Sequence, residues 1–317
     1  MAKPVVSIIL MTHNDGIHLK RSILSVCKQE FDKPFELIVI ADSCNDNTSE
    51  IVKDIQKDFK FISYFEVEHR SIYKNRIFGV KKAKAELIMF VNGDDYVAPN
   101  FVSVMYNTMK NGDYDMVNCG FNVITKNGYH RYALLSDASM NRTQALSMLF
   151  EDLYMRAYMQ TKIFKKDLFL KMEIFPILEN NNLGNVRYED LMFCFYYLLN
   201  AKKVKCIKDC LYYSSKSTEY SITAYGYRRG TDDVMVRNAI RIKLNELNDP
   251  VLLKAFLKSK SRARALILAD FIMSKFPNTE VKKTIKKSII SDFRNIYNKN
   301  YDISKAIYLG LNHASEK

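Results

Sequence analysis

Three short, predominantly apolar runs, separated by stretches of helical length, constrain this chain more than anything else in its sequence. They are Val5-Val6-Ser7-Ile8-Ile9-Leu10, Phe35 to Ala41 and Leu87 to Val91. A strand with one wet face alternates apolar and polar residues. A run that stays apolar belongs to a strand covered on both faces, as in a parallel sheet flanked by helices. Thr12-His13-Asn14-Asp15 breaks the first run, and a helix is expected after it with Leu19, Ile23, Leu24, Val26 and Cys27 inward. Thr48 is expected to cap a second helix running to about Phe59. Phe61 to Val67 reads as a further strand and Tyr73 to Lys84 as a further helix. Strands joined by helices of this length form right-handed crossover units, hence an α/β fold with a mainly parallel sheet.

The pattern changes after Pro99. A helix is expected over Phe101 to Lys110, a strand over Met116 to Ile124, a buried helix over Tyr188 to Asn200 and strand structure over Val204 to Tyr213. From Asp232 the chain reads as helical. One stripe is Val236, Ile240, Leu244 and Leu247, and another is Val281, Ile285, Ile289, Phe293 and Ile296. No apolar stretch reaches the length of a membrane span, and no secretory leader is visible at Met1. The six cysteines form no metal-binding or redox spacing and read as reduced thiols of a cytoplasmic protein. The net charge is +13, distributed as zero over residues 1–100, +4 over 101–250 and +9 over 251–317. The basic excess near the C-terminus points to an acidic partner surface: anionic lipid, nucleic acid or a polyanionic acceptor.

Chemistry concentrates where three of the strands end. Thr12-His13-Asn14 follows the first, Asp42 to Thr48 the second, and Asn92-Gly93-Asp94-Asp95 the fourth. In an open parallel sheet, ligands bind beyond the C-terminal strand ends, so three polar tips at one edge describe a ligand crevice. Asp42 can accept hydrogen bonds from a base or ribose. Asp94 and Asp95 suit a hard cation, Mn²⁺ or Mg²⁺, with diphosphate oxygens completing its shell. Arg76, on the helix between, can approach the phosphates or brace an aspartate.

These segments resemble, in order and spacing, the motifs of the family 2 glycosyltransferases, which have a GT-A fold. Val6-Ser7-Ile8-Ile9 leads to Asn14. Asp42 to Thr48 follows, then Asn75-Arg76-Ile77-Phe78-Gly79, then Asn92-Gly93-Asp94-Asp95. Tyr188-Glu189-Asp190-Leu191-Met192-Phe193 resembles the family's Glu-Asp motif, with Leu211-Tyr212-Tyr213 and Ser221-Ile222-Thr223 after it. The resemblance spans about residues 4–225. It implies transfer of a sugar from a nucleotide-sugar donor, most often a UDP-sugar, with inversion. It further implies a donor site of Thr12, Asn14, Asp42, Arg76, Asn92, Gly93, Asp94 and Asp95, with Asp94 on the metal. Asp190 would be the catalytic base and Glu189 its steering partner. Residues 1–98 would then form the nucleotide-sugar half, 99–230 the acceptor half and 231–317 a basic helical extension. The expected acceptor is a glycan or lipid-linked sugar of the bacterial surface, with an anionic membrane face as a further partner. Nucleic acid drops out of the expected partners, and oligomerisation stays open.

The sequence departs from the family pattern at Met11, Ala41, Ile77 and above all Asn92, which stands where an aspartate is usual. A neutral amide there removes one negative charge from the metal site. An inactive transferase-like protein is therefore an alternative, as are a nucleotidyltransferase and a polyanion- or membrane-binding module. Tyr212, Tyr213, Tyr225 and Tyr227 are candidates for stacking on acceptor sugars.

Overall fold

The computed structural model describes residues 2–125, 128–132, 137–151, 155–174, 177–178, 189–215 and 226–259. Four parallel strands form its N-terminal half: β1 (Val6–Thr12), β2 (Phe35–Asp42), β3 (Ile62–Val67) and β4 (Leu87–Asn92), in the order β3-β2-β1-β4. The connecting helices are α1 (Gly16–Cys27), α2 (Thr48–Asp58) and α3 (Ile72–Lys82). All seven residues of β1 are buried, which explains its unbroken apolar run. Side chains alternate across the sheet. Ile9, Met11, Ile38, Ile40, Ile88 and Phe90 join one core, while Val6, Ile8, Leu10, Leu37, Val39, Met89 and Val91 join the other. At about 1.5–3 kcal/mol for each large aliphatic side chain fully buried, both faces contribute strongly to stability.

The sheet continues through antiparallel and parallel pairings to ten strands, in the order β3-β2-β1-β4-β9-β6-β10-β5. The added strands are β5 (Tyr96–Val97), β6 (Met116–Thr125), β7 (Gly128–Tyr132), β8 (Ala138–Asn141), β9 (Lys162–Lys165) and β10 (Lys203–Ser215). β7 pairs with β6, and β8 with β10. The helices of this half are α4 (Phe101–Asn111), α5 (Arg142–Glu151), the short α6 (Lys166–Leu170), α7 (Glu189–Asn200) and α8 (Gly226–Leu247). This mixed sheet flanked by helices is the α/β architecture expected from the sequence. β9 turns antiparallel between β4 and β6, so it joins the two halves into one sheet.

α7 is apolar nearly all round, and its residues Leu191 to Leu198 are all buried. It is the inner helix of the layer that holds α5 and α8, as its composition anticipated. Two local expectations change. Thr48 does not cap α2; it is the first helical residue, and Asp46 Oδ1 accepts its N–H at 3.1 Å instead. Asn47 holds the N-cap position, so Thr48 already lies inside the helix, where its hydroxyl no longer serves the cap. On α8, Val236, Ile240 and Leu244 are fully buried, but Leu247 in the last turn is 44% exposed. The Ile285–Phe293 stripe, with the rest of residues 260–317, lies outside the described residues, as do Tyr188, Ser221 to Thr223 and Tyr225.

α3 seats unusually close on the sheet. A Cβ on Gly79 would lie 2.5 Å from Ile9 Cγ2 and 3.0 Å from Ile40 Cδ1. This close approach fixes the helix turn that carries Asn75 and Arg76.

Candidate functional site

Parallel β2, β1 and β4 lie side by side, so their C-terminal tips share one edge. There Asp42, Thr12–Asn14 and Asn92–Asp95 come together. Three non-glycine residues adopt left-handed backbone at this edge: Asn14 (φ 57°), Ser43 (φ 54°) and Arg70 (φ 48°), just after β1, β2 and β3. Asparagine tolerates this region, but serine and arginine do so at a cost, and such strain clusters at ligand sites.

Asp42 is buried and saturated with donors. Arg70 N (2.9 Å) and Ser43 Oγ (3.0 Å) donate to Oδ1. Ser71 N (3.1 Å) and Asn75 Nδ2 (2.8 Å) donate to Oδ2. Burial pushes the carboxyl up, but these hydrogen bonds outweigh it and hold Asp42 below the ordinary carboxylate value. His13 Nδ1 lies 2.6 Å from the Asp42 carbonyl oxygen. A carbonyl only accepts, so His13 Nδ1 is the donor in this contact.

The β1 tip is organised by Asp15. Its Oδ2 accepts from Thr12 Oγ1 (3.0 Å) and His13 N (3.1 Å). Asn14 Oδ1 accepts from Asn45 N at 2.8 Å, tying the β1 and β2 loops together. Gly93 is the contact between the β1 and β4 tips: a Cβ there would lie 2.5 Å from Asp15 Oδ2 and 2.7 Å from Thr12 Oγ1.

At the β4 tip the two aspartates differ. Asp95 is buried and accepts from Tyr212 Oη (2.6 Å), Ser215 N (2.8 Å) and Asn92 Nδ2 (3.1 Å). Burial still pushes its carboxyl up to about 6. Asp94 is pushed up to about 7, first by burial and then by the charges of Asp95 and Asp15. This tip is short of positive charge, the condition a divalent cation relieves. Among the described residues no three His, Cys, Asp or Glu side chains converge as a metal-ligand group. Asp94, which the sequence reading put on the metal, could hold a cation here only with diphosphate and water supplying most of its ligands. Asn92 does not stand free beside it: Nδ2 donates to Asp95, and Oδ1 accepts from Gln160 Nε2 at 3.1 Å.

Tyr212 is buried and committed to Asp95 rather than open for stacking on a sugar. Tyr213 stacks on Tyr96 with centroids 4.7 Å apart, and the Arg21 guanidinium covers the Tyr96 ring at 4.6 Å. Arg21 also donates to the Asp94 carbonyl (3.0 Å) and to Ser215 Oγ (2.8 Å).

The residue after Asn75 leads to the second half of the site. Arg76, placed with the donor-binding residues by the sequence, is buried, and its guanidinium bonds to Glu189 and, at 2.6 Å, to Asp190. Adjacent residues on one helix turn thus serve both halves: Asn75 holds Asp42, and Arg76 holds the carboxylate pair. Burial pushes Glu189 up to about 7, against the pull of Arg76 and with the help of Asp190. For Arg76, burial works against the charge, but Asp190 and Glu189 outweigh it and keep the guanidinium above its ordinary value. Side-chain exposure is 3% for Arg76, 7% for Glu189 and 20% for Asp190, so Asp190 is the member that solvent reaches.

Sequence reasoning had not singled out Asp15, Gln160 or Arg21. Asp15 adjoins a motif and was within reach. Gln160 and Arg21 act through distant pairings that no local pattern signals.

A family model described as "Glycosyl transferase family 2" matches residues 7–169. The poly(ribitol-phosphate) beta-N-acetylglucosaminyltransferase TarP of Staphylococcus aureus is 24% identical over 306 residues, covering 93% of this chain and 88% of that protein. A cholesterol galactosyltransferase of Borreliella burgdorferi is 25% identical over 220 residues, 65% of this chain and 59% of that one. Among solved structures, S. aureus TarS 1-349 superposes with a TM-score of 0.63 at 18% identity, covering 94% of both chains. Its complex with UDP-GlcNAc gives 0.59 at 15% identity. At these identities the superpositions speak for the fold alone.

Proposed function

The chain belongs to glycosyl transferase family 2, and from that membership we propose that it transfers a sugar from a UDP-sugar to a hydroxyl of a bacterial surface glycan, with inversion. The observation that carries this reading is the pairing of two carboxylate sites through one helix turn. Asp42 and the β4 tip face the crevice edge, and Arg76 presents Asp190 from α7. The donor nucleotide lies along the tips of β2, β1 and β4, with Thr12, Asn14, Asp42, Asn92 and Gly93 around it. Residues 1–98 serve the donor and 99–230 the acceptor.

In the reaction Asp190 takes the proton of the acceptor hydroxyl as its oxygen attacks the anomeric carbon from the face opposite the leaving group. The bond from that carbon to the diphosphate oxygen breaks, and the nucleoside diphosphate departs. Attack from the opposite face inverts the configuration. Arg76 fixes the Asp190 carboxylate and offsets the charge of the neighbouring Glu189, and both orient the base before the acceptor arrives. Asp94 would hold Mn²⁺ or Mg²⁺, which when bound would supply Lewis-acid neutralisation of the diphosphate charge.

The names of the relatives support a donor of the UDP-sugar type and a polyol-phosphate or comparable surface acceptor. The +9 charge of residues 251–317 suits a polyanionic acceptor or the anionic inner face of a membrane, with the protein peripheral to it. No helix among the described residues is long and apolar enough to cross a membrane.

The test is UDP release from a panel of UDP-sugars, with and without Mn²⁺ or Mg²⁺, beside thermal stabilisation by the same nucleotides. Metal-dependent release with one preferred sugar is expected. No release together with no nucleotide-dependent stabilisation would sink the reading.

A further inference from the structure

Lys162, the first residue of β9, is completely buried. Among the described residues no carboxylate pairs with its ammonium. Nζ donates instead to the carbonyl oxygens of Arg156 (2.6 Å) and Tyr158 (2.7 Å), and to Thr161 Oγ1 (3.3 Å). An ammonium taken out of water without a counter-ion is costly, and an apolar side chain would fill the same space at less expense. Something other than packing is served by the charge.

The segment it holds explains what. Residues 156–158 belong to no helix or strand, and a single turn of 3₁₀ helix covers Met159–Thr161. The carbonyls of Arg156, Ala157 and Tyr158 are capped by side chains: Lys162, Cys194 (Sγ to Ala157 O, 3.3 Å) and Lys162 again. The segment touches both halves of the site. Gln160 Nε2 grips Asn92 Oδ1 at the β4 tip. Cys194 belongs to α7, little more than a turn beyond Glu189 and Asp190. Met159, itself buried, lies 3.7 Å from the same sulfur.

We propose that Lys162 is a positioning residue for the transfer reaction. Its buried ammonium fixes the 156–161 turn, which clamps the metal-bearing β4 tip through Gln160 and the base-bearing helix through Cys194. The turn thereby sets the separation between Asp94 and Asp190. Neutral acceptors suit this role, because an ammonium directed at carbonyls orders backbone, whereas one paired with a carboxylate would order only a side chain. The catalytic part of the inference rests on the transferase reading; the mechanical part does not, so the test is read first without substrate.

Amide hydrogen exchange is followed by mass spectrometry on the ligand-free full chain, as wild type, Gln160→Ala and Lys162→Met. Gln160→Ala is expected to speed exchange in peptides covering 92–97 while 155–165 stays protected. Lys162→Met is expected to speed 155–165, 92–97 and the first turns of α7 together, with β1, β2 and β3 unchanged. Faster exchange in 155–165 alone would overturn the proposal. If Lys162→Met does not fold, wild type in graded low urea decides: one shared opening of the three segments supports the clamp, and separate openings refute it. With donor and acceptor, Lys162→Met should lower kcat on the order of 10- to 100-fold, since small misplacement of reacting groups costs that much. Lys162→Arg should recover part of the loss. A rise in KM with unchanged kcat would remove the positioning role. A wild type that turns over no donor would count against the transferase reading and leave the exchange result to judge the clamp.

Discussion

Asn92→Asp restores the aspartate usual at this place in the family, and the structure assigns it two opposing effects. In the ligand-free protein Asn92 Nδ2 donates to Asp95 Oδ2 at 3.1 Å. The substitution replaces that donor with a carboxylate oxygen beside a carboxyl already pushed up to about 6 by burial. Two unit charges roughly 4 Å apart repel by about 4 kcal/mol at an effective dielectric near 20. One of the pair avoids most of this by binding a proton, so the net cost is closer to the lost hydrogen bond to a charged acceptor, about 1.5–3 kcal/mol. For a domain of 150–250 residues each kcal/mol moves Tm by about 2–4 °C, so a fall of roughly 3–12 °C is expected at pH 7. A divalent cation reverses the sign, because the added carboxylate then has a charge to meet. Mn²⁺ should stabilise Asn92→Asp more than wild type, and calorimetry should show tighter Mn²⁺ binding in the presence of UDP. The assay is thermal melting across a Mn²⁺ titration, with and without UDP. Equal Tm values without metal would mean that the Asn92–Asp95 bond carries no weight. Equal metal responses would mean that this tip is not the cation site.

Asp190→Asn should leave UDP binding largely intact and lower kcat on the order of 10²-fold or more, since it keeps shape and removes the base; near-normal turnover would exclude the role. Asp42→Ala should weaken UDP binding with or without metal and destabilise the protein by about 1–3 kcal/mol, because Arg70 N, Ser71 N and Asn75 lose their acceptor; unchanged UDP affinity by calorimetry would misplace the crevice. The ligand-free protein should gain stability as pH falls from 8 to 5. Glu189 and Asp94, raised to about 7, and Asp95, raised to about 6, hold protons in the fold that the unfolded chain releases above about pH 4.5, so their stabilisation is lost as pH rises through those values. Asp42 and Asp46, held low, reverse the trend only near and below their ordinary value of 3.8. A Tm that drops steadily from pH 7 to 5 would contradict this. Changing Lys282, Lys283, Lys286 and Lys287, part of the +9 charge of residues 251–317, to glutamine should spare UDP release and reduce binding to anionic vesicles, and equal binding at low salt would show that these charges serve no membrane contact.

The sequence by itself determined the N-terminal half of the sheet and the edge where chemistry gathers. β1, β2 and β4 are buried on both faces, so their apolar runs are continuous and stand out. Parallel strands joined by right-handed crossovers must present their polar tips together, so Asp42, Thr12–Asn14 and Asn92–Asp95 could be placed at one edge from local pattern alone. α7 was legible for the same reason, being apolar nearly all round. Beyond Pro99 legibility fell. β8 and β9 are four residues each, too short to show a period, and their pairings are antiparallel insertions that no crossover rule foretells. Only the tertiary structure decided what the tips would touch. Arg76 meets Glu189 across 113 positions of sequence, and Asn92 meets Gln160 across 68 and, through its N–H, Tyr212 across 120. A side chain's partner depends on which elements pack together, and a motif records only its own neighbours along the chain. Residue types therefore announced a carboxylate site, while packing determined that Asp95 is saturated, Asp94 is crowded by Asp95 and Asp15, and Asp190 is the acid that solvent reaches.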